Sequence, residues 1–276
     1  VTASTSTKLV VTMPVVISDA SINSLSGIQL MVAVQGAYAG AVYDHSFVIE
    51  RAVVEFGGFV GEQPHKTPLA VASDSDLNTY VAGGDATLYK IDALGERSVF
   101  ATGLSTVTTD LKVGPGGYLY FGRNTPFLYR VDPAGGVAAS WLRVGKKANI
   151  FDFNADQNIY CGGKNDSLYF VDVLAGTALG VGLAKDYTYI SLRVYDGYVY
   201  VAGSYSGTDA SVTVTQALWK HEILVNNDLG ERELVYDWAS SEFASEQNIT
   251  SVIVSDEGLF YLGLSAGSGP AIVTLN

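Results

Sequence analysis

Cysteine is almost absent from this chain of 276 residues, and Cys161 is the only one. A single cysteine excludes an intrachain disulfide and a metal site built from several thiolates. We expect Cys161 to pack as a small apolar residue, because no adjacent basic residue would activate its thiol. Histidine is also scarce: His45, His65 and His221 are the only copies, and no two are spaced like metal ligands. The sequence therefore predicts no bound metal.

Charge is low and mostly negative. Charged residues make up 16% of the chain, and the formal net charge is −12. An acidic surface repels phosphate groups, so nucleic acids and anionic membrane surfaces are disfavoured as partners. No apolar run reaches the roughly 18 residues of a membrane span, and residues 1–8 do not resemble a signal peptide. No glycine-rich phosphate loop or Gly-x-Ser-x-Gly elbow occurs, so we expect neither an organic cofactor nor a serine hydrolase site.

What the chain does contain is a repeat of a turn, an aromatic strand and a glycine. The tyrosines Tyr80, Tyr120, Tyr160 and Tyr200 are each 40 residues apart, and a copy around Tyr261 follows an insertion. A second motif keeps the same spacing, at residues 88–92, 128–132 and 168–172, with a weaker copy at 218–221. Forty residues accommodate four short strands with their turns, which is one blade of a β-propeller. Stacked blades bury the apolar faces that one blade would expose.

We therefore predict an all-β fold, a six-bladed β-propeller of four-stranded antiparallel blades forming one domain over residues 1–276. The predicted blades cover residues 25–63, 67–104, 105–145, 146–186, 187–241 and 248–276, after an N-terminal arm at 1–24. The last blade has only three strands, and we expect the strand-like run 9–15 in the arm to close the ring. Pro14 suits that place, because proline is confined to sheet edges. Five blades with an N-terminal β segment is the alternative.

On these motifs, residues 67–275 resemble the NHL, YVTN and SMP-30-like types of propeller. The likeness is carried by residues 80–84 followed by residues 88–92, and it implies the fold rather than one function. It also implies that an SMP-30-like enzyme would hold a cation through acidic and amide ligands at the mouth of the channel. The innermost strands here begin at 109–110, 149–150, 189–190 and 249–250 with mostly apolar or neutral residues. That pattern does not favour such an activity.

The channel-lining candidates are Asp110, Lys112 and Asp152. By the repeat, Lys112 and Asp152 occupy equivalent positions in neighbouring blades, where the other copies are Ala72 and Leu192. We expect the two charges to neutralise each other, and general acid or base chemistry is the alternative.

Other carboxylates have structural interpretations. Asp92, Asp132 and Asp172 each lead into a hairpin turn, where an aspartate bonds to its own backbone; calcium binding is the alternative. The pair Asp74 and Asp76 is compatible with calcium but lacks the other ligands of a calcium loop.

Three functions remain open. The first is a non-enzymatic structural or interaction propeller in an extracellular assembly, specifically a virus or phage particle, that contacts a protein partner or receptor. The second is a secreted or periplasmic propeller hydrolase or lyase acting on a sugar or lactone. The third is a carbohydrate- or peptide-binding module. The absence of a catalytic constellation favours the first.

The predicted binding surface lies on the enlarged blade. Between Gly203 and Leu218 this blade has about ten more residues than its siblings, and the connection at 238–247 is also long. Long ordered loops on a rigid scaffold commonly carry binding sites, although insertions can also be neutral. The predicted binding residues are Tyr205, Ser206, Thr208, Asp209, Trp238 and Phe243. Tyr205 is the expected aromatic anchor.

Overall fold

Short apolar strands separated by glycine and aspartate turns account for nearly all regular structure. A computed structural model describes residues 30–32, 41–43, 68–104, 110–145, 147–163, 168–181, 187–208, 213–267 and 272–275. Residues 1–56 and 57–276 form two separate units. In the first unit, β1 (Leu30–Val32) and β2 (Ala41–Tyr43) pair antiparallel. Within the part of the chain that is described, no helix is long and apolar enough to cross a membrane.

The described strands of the second unit form five sheets, which are the blades of a β-propeller. The first blade contains β3 (Pro68–Ser73), β4 (Thr79–Gly83), β5 (Leu88–Ile91) and β6 (Arg97–Thr102). The second contains β7 (Asp110–Val113), β8 (Leu119–Gly122), β9 (Phe127–Val131) and, after β10 (Gly136–Val137), β11 (Ala139–Arg143). The third contains β12 (Ile150–Phe153), β13 (Ile159–Gly162), β14 (Leu168–Asp172) and β15 (Thr177–Val181). The fourth contains β16 (Tyr187–Tyr195), β17 (Tyr198–Tyr205), β18 (Gln216–Ile223) and β19 (Leu229–Asp237). The fifth contains β20 (Ile249–Val254), β21 (Phe260–Leu264) and β22 (Ile272–Leu275).

The innermost strands β3, β7, β12, β16 and β20 pack side by side in chain order. We call the end of the propeller at which these strands begin the front face, and the end at which they finish the back face. Hairpins between the second and third strand of a blade lie at the front face. Turns between the first and second strand lie at the back face.

The prediction of six blades is not supported, and the five described blades agree with the alternative. Within the predicted blade at residues 25–63, only the pair β1 and β2 is described. That segment also lacks the 40-residue motif that marks the other blades. The predicted closing strand at 9–15 lies outside the described residues and stays a prediction. The three strands expected in the last blade are confirmed.

One exchange between blades was not predicted. β10 pairs parallel with β6, so that a short strand of the second blade's sequence extends the first blade at its outer edge. Gly135 directly precedes the pairing and Gly136 is its first residue, with positive φ angles of 84° and 112°. A Cβ on Gly135 would lie 2.3 Å from the carbonyl oxygen of Phe100. Glycine is therefore required for this close approach.

The repeat residues make the core between blades. Tyr80, Tyr120 and Tyr160 are buried and pack in clusters with residues of neighbouring blades. The predicted turn role of the second motif is confirmed: Asp92 Oδ1 accepts hydrogen bonds from the N–H groups of Leu94 and Glu96, at 2.9 and 2.8 Å. Asp132 and Asp172 cap their turns in the same way.

Candidate functional site

The charged inner-strand residues predicted from the repeat do come together. Lys112 Nζ lies 3.3 Å from Asp152 Oδ1, across the boundary between the second and third blades. Both side chains are less than one-fifth exposed. The expected neutralisation of the two charges is therefore seen in the structure.

Arg193, and not Leu192, is the third member of this row. Lys112 lies opposite Tyr120 and Asp152 opposite Tyr160, and the residue opposite Tyr200 is Arg193. A β-bulge between Tyr189 and Ser191 shifts the register of β16 by one residue. The row therefore reads lysine, aspartate, arginine over three consecutive blades. A strict 40-residue count could not find Arg193, because the count assumes that every strand has the same length.

Three inner-strand side chains connect the second, third and fourth blades each to the blade that follows by accepting a backbone hydrogen bond. Asp110 Oδ2 accepts from Phe151 N–H at 3.2 Å, and Asp152 Oδ2 accepts from Val194 N–H at 2.9 Å. Ser191 Oγ accepts from Val252 N–H at 3.0 Å. Such bonds satisfy inner-strand N–H groups that would otherwise be unpaired where blades meet. We call these three residues the interblade acceptors.

The electrostatics of Asp110 follow from its burial among these strands. Burial raises the pKa of the Asp110 carboxyl, whereas the positive charges of Lys112 and Arg193 and the bond from Phe151 N–H oppose the rise. Its second oxygen accepts from Leu111 N–H at 3.1 Å. Both oxygens of Asp110 are thus engaged with backbone groups, which leaves the carboxyl poorly placed to bind a substrate or a cation.

The described residues do not fit the cation site of an SMP-30-like enzyme. Nowhere in the described part of the chain do three or more His, Cys, Asp or Glu side chains gather closely enough to hold a metal ion. Asp74 is occupied in its own turn, where its Oδ1 accepts from the N–H groups of Asp76 and Asn78. His221 is buried, and its Nδ1 lies 3.0 Å from the carbonyl oxygen of Gly230. His45 and His65 lie outside the described residues.

Cys161 is buried, as expected from the sequence. Burial raises the pKa of its thiol, so the reactive thiolate form is disfavoured.

The enlarged fourth blade does extend beyond its siblings. Its strands have eight or nine residues, whereas the blades before it have strands of two to six. The insertion lengthens the hairpin between β17 and β18, which lies at the front face. The long connection from β19 to β20 lies at the same face, so the structure brings the two predicted elements together.

Tyr205, the predicted anchor, packs against the blade instead of projecting from it. Its ring lies 5.2 Å from that of Tyr187, and its N–H donates to Thr215 O at 2.7 Å. A Cβ on Gly207 would lie 2.3 Å from the Tyr205 hydroxyl oxygen, so the chain folds closely over this ring. Ser206 and Thr208 are exposed beside it, and Asp209 lies outside the described residues.

Trp238 is part of the core between the fourth and fifth blades. Its side chain is 1% exposed, and its Nε1–H donates to Gln247 O at 2.9 Å. This bond ties together the two ends of the connection. Phe243 is half-buried against the same cluster.

A hollow of about 420 Å³ lies between the base of the hairpin and the connection. Its described lining carries no charged side chain. The lining residues are Thr215, Gln216, Trp238, Ala239, Ser241, Ala244, Ser245 and Asn248. We call this site the front-face hollow. Apart from Trp238, sequence reasoning missed these residues, because small polar residues in loops carry no motif.

The hollow is held in shape by hydrogen bonds around its rim. Gln216 Oε1 accepts from Ile249 N–H at 3.2 Å, which joins the fourth blade to the fifth. Asp237 Oδ1 accepts from Ala239 N–H at 3.0 Å at the start of a short 3-10 helix, Trp238–Ser240. Ser245 and Asn248 remain exposed. A ligand would therefore meet hydroxyl and amide groups on a largely preformed surface.

Comparison with known proteins gives a match only at the level of structure. No family model matches the sequence, and no curated protein matches it. A gluconolactonase from Xanthomonas campestris superimposes with a TM-score of 0.54 at 13% identity, covering 76% of each chain. The likeness is one of fold.

Two proteins of Bacteroides thetaiotaomicron show the same likeness. The extracellular domain of a putative hybrid two-component system has a TM-score of 0.54 at 16% identity over 77% of this chain. An auxiliary nutrient binding protein has a TM-score of 0.53 at 11% identity over 75% of this chain. This chain spans 28% of the first protein and 56% of the second. The sequence-based resemblance to SMP-30-like propellers is confirmed as a resemblance of fold, and the expected virus or phage role gains no support from these proteins.

Proposed function

We propose that this chain is a non-catalytic binding propeller that contacts a protein partner through the front-face hollow. The observation that carries the proposal is the engagement of the inner-strand polar groups. Asp110, Asp152 and Ser191 accept backbone hydrogen bonds from the next blade, and Lys112 is paired with Asp152. The side chains best placed for channel chemistry are thus used to join blades.

The front-face hollow differs from the inner strands, because polar groups are exposed to solvent there. Hydroxyl and amide side chains both donate and accept hydrogen bonds, as peptide groups do. An uncharged recess of this kind suits a loop of another protein, and the adjacent hairpin would add contact area. Binding sites are commonly found on long loops that a rigid scaffold positions.

An extracellular setting is part of the proposal. It is supported by the extracellular domain and the nutrient binding protein among the proteins of like fold. The acidic composition, with a net charge of −12, suits a soluble partner better than an anionic surface.

The experiment uses substitutions that place larger side chains in the front-face hollow and leave the buried core residues unchanged. Ala239→Tyr and Ser245→Tyr place bulky side chains at exposed positions of the lining, and Ser140→Tyr is the control at an exposed position of β11. Extracellular proteins from the source cells are passed over immobilised wild type. A retained protein is then purified, and its dissociation constant for each variant is measured by calorimetry.

We expect both filled variants to bind the partner at least about tenfold more weakly. A few residues at the centre of an interface supply most of its binding free energy, and the added tyrosine would block contacts there. Ser140→Tyr should bind like wild type, and all three variants should unfold at similar urea concentrations. The proposed surface is wrong if the filled variants bind as tightly as the control. The proposed function fails if wild type retains no partner.

A further inference from the structure

A second cavity lies at the back face, between the second and third blades. It has a volume of about 350 Å³, at the small end of the range for ligand pockets. One wall comes from the second blade and the other from the third. The lining residues are Pro115, Gly116, Tyr118, Tyr120, Arg130, Asp156, Gln157, Asn158, Val173 and Leu174. We call this cavity the Tyr118–Arg130 cleft.

Arg130 is held by aromatic rings and not by a carboxylate. Its guanidinium carbon lies 4.4 Å from the centre of the Tyr118 ring and 5.2 Å from the Trp141 ring. Among the described residues no carboxylate forms an ion pair with it. A guanidinium stacked in this way keeps its planar set of N–H donors in a fixed place.

The facing wall is the turn that begins the second strand of the third blade. Asp156 and Gln157 are exposed there, and neither side chain bonds to another described residue. Gln157 has a positive φ of 63°, which is uncommon for a residue with a side chain. Asn158 Oδ1 accepts from Val173 N–H at 3.1 Å, which fixes the turn to the rim of the cleft. Leu174, 99% exposed, completes that rim.

The repeat shows that this cleft differs from the equivalent place between the fourth and fifth blades. At the equivalent place the fourth blade stacks Lys220 on Tyr198 at 4.6 Å, but Lys220 is paired with Glu233 at 3.2 Å. Tyr195 then spans the boundary by donating to Asp256 O at 3.3 Å. The second blade has Gly114 where the fourth has Tyr195. Residue 114 therefore has no side chain that could bridge to the third blade, and Arg130 lacks the carboxylate partner that Lys220 has among the described residues.

The chemistry of the lining selects the class of ligand. One cationic donor faces one anionic acceptor, so the net charge of the cleft favours neither anions nor cations. A single carboxylate is too few for a metal ion. Neutral molecules with many hydroxyl groups suit this set, because each hydroxyl both donates and accepts. Aromatic side chains can pack against a sugar ring, and planar polar side chains can form directional hydrogen bonds with its hydroxyl groups.

We propose that the Tyr118–Arg130 cleft binds a neutral carbohydrate. The site is separate from the front-face hollow, and it stands whether or not a protein partner binds there. Asp156 and Gln157 accept from sugar hydroxyls, and Arg130 donates to sugar oxygens. Tyr118 and Leu174 pack against the sugar ring.

The test uses the full chain on an array of neutral oligosaccharides built from glucose, galactose and mannose, followed by calorimetric titration of the best binder. The variants are Asp156→Ala and Gln157→Gly. The repeat supplies matched controls in the equivalent turn of the first blade: Asp76→Ala removes an exposed aspartate, and Leu77→Gly replaces a residue with a φ of 64°. Ser245→Tyr, in the front-face hollow, serves as the control for the other site.

We expect wild type to bind a neutral oligosaccharide and Asp156→Ala to bind it at least about tenfold more weakly, as the loss of a charged hydrogen bond predicts. Gln157→Gly should also weaken binding, and the three controls should bind like wild type. The proposal is overturned if no neutral oligosaccharide binds, or if Asp156→Ala binds as tightly as Asp76→Ala. Acidic glycans are displayed on a second array. If the wild type clearly prefers them to the neutral oligosaccharides, the proposal that the ligand is neutral is wrong.

Discussion

Replacing Ser191 with alanine removes one interblade acceptor and little else. Ser191 is 5% exposed, and its Oγ accepts from Val252 N–H at 3.0 Å across the boundary between the fourth and fifth blades. Alanine has nearly the same volume but cannot accept this bond. A buried N–H group left without a partner costs about 1–3 kcal/mol of folding free energy. We therefore expect Ser191→Ala to lower the free energy of unfolding by an amount in this range.

Urea unfolding followed by tryptophan fluorescence measures this loss. Trp238 and Val252 belong to the same buried cluster, so the fluorescence reports on the boundary that loses the bond. Ser140→Ala is the matched control, because Ser140 is an exposed strand serine. The amide hydrogen of Val252 should also exchange faster in Ser191→Ala. If both variants unfold at the same urea concentration and Val252 stays protected, the reasoning on interblade acceptors is refuted.

Three further predictions concern stability. Burial lowers the pKa of His221 below its usual 6.5 despite the bond to Gly230 O. The unfolded chain therefore binds the proton more readily, and stability should fall as pH drops below about 6.5. His221→Val should flatten that part of a pH series of urea midpoints. Trp238→Ala should lower the free energy of unfolding by about 3–5 kcal/mol and Trp238→Phe by less, because the residue is core; urea unfolding followed by circular dichroism measures both losses, and equal, small losses would contradict this. Burial alone would raise the pKa of Asp74, but hydrogen bonds from Asn78 and Tyr80 outweigh it and lower the pKa below 3.8. Asp74→Ala should therefore destabilise at pH 7, and this loss should shrink as the pH falls through the lowered pKa and the wild-type carboxyl becomes protonated in the folded state; a loss that does not change with pH would be inconsistent.

The repeat in the sequence was sufficient to predict most of the propeller. A 40-residue spacing of tyrosines predicted four blades, and the copy around Tyr261 predicted the three-stranded last blade, because each copy carries the same turn and strand signals. That last blade was counted as the sixth, because residues 25–63 were also predicted to form a blade. The spacing could not predict that β10 pairs with the first blade. That pairing depends on glycines at positive φ and on the closeness of two blades in space.

The candidate site was predicted less completely. The pairing of Lys112 with Asp152 followed from the repeat, whereas Arg193 was missed because a bulge shifts β16 by one residue. The front-face hollow was predicted only through its two enclosing segments. Which side chains face a recess depends on how loops fold back, as Tyr205 shows by packing on Tyr187. Local sequence does not contain that information.

The central claim is that the inner-strand polar groups hold blades together and perform no chemistry. Lactone hydrolysis tests it most directly, because a gluconolactonase is among the proteins of like fold. Wild type and Asp110→Asn are assayed at equal concentration on gluconolactone and a panel of related lactones, with calcium, magnesium and zinc added in turn. We predict that wild type hydrolyses no lactone faster than Asp110→Asn does. Hydrolysis by wild type that is lost in a folded Asp110→Asn variant would contradict the account.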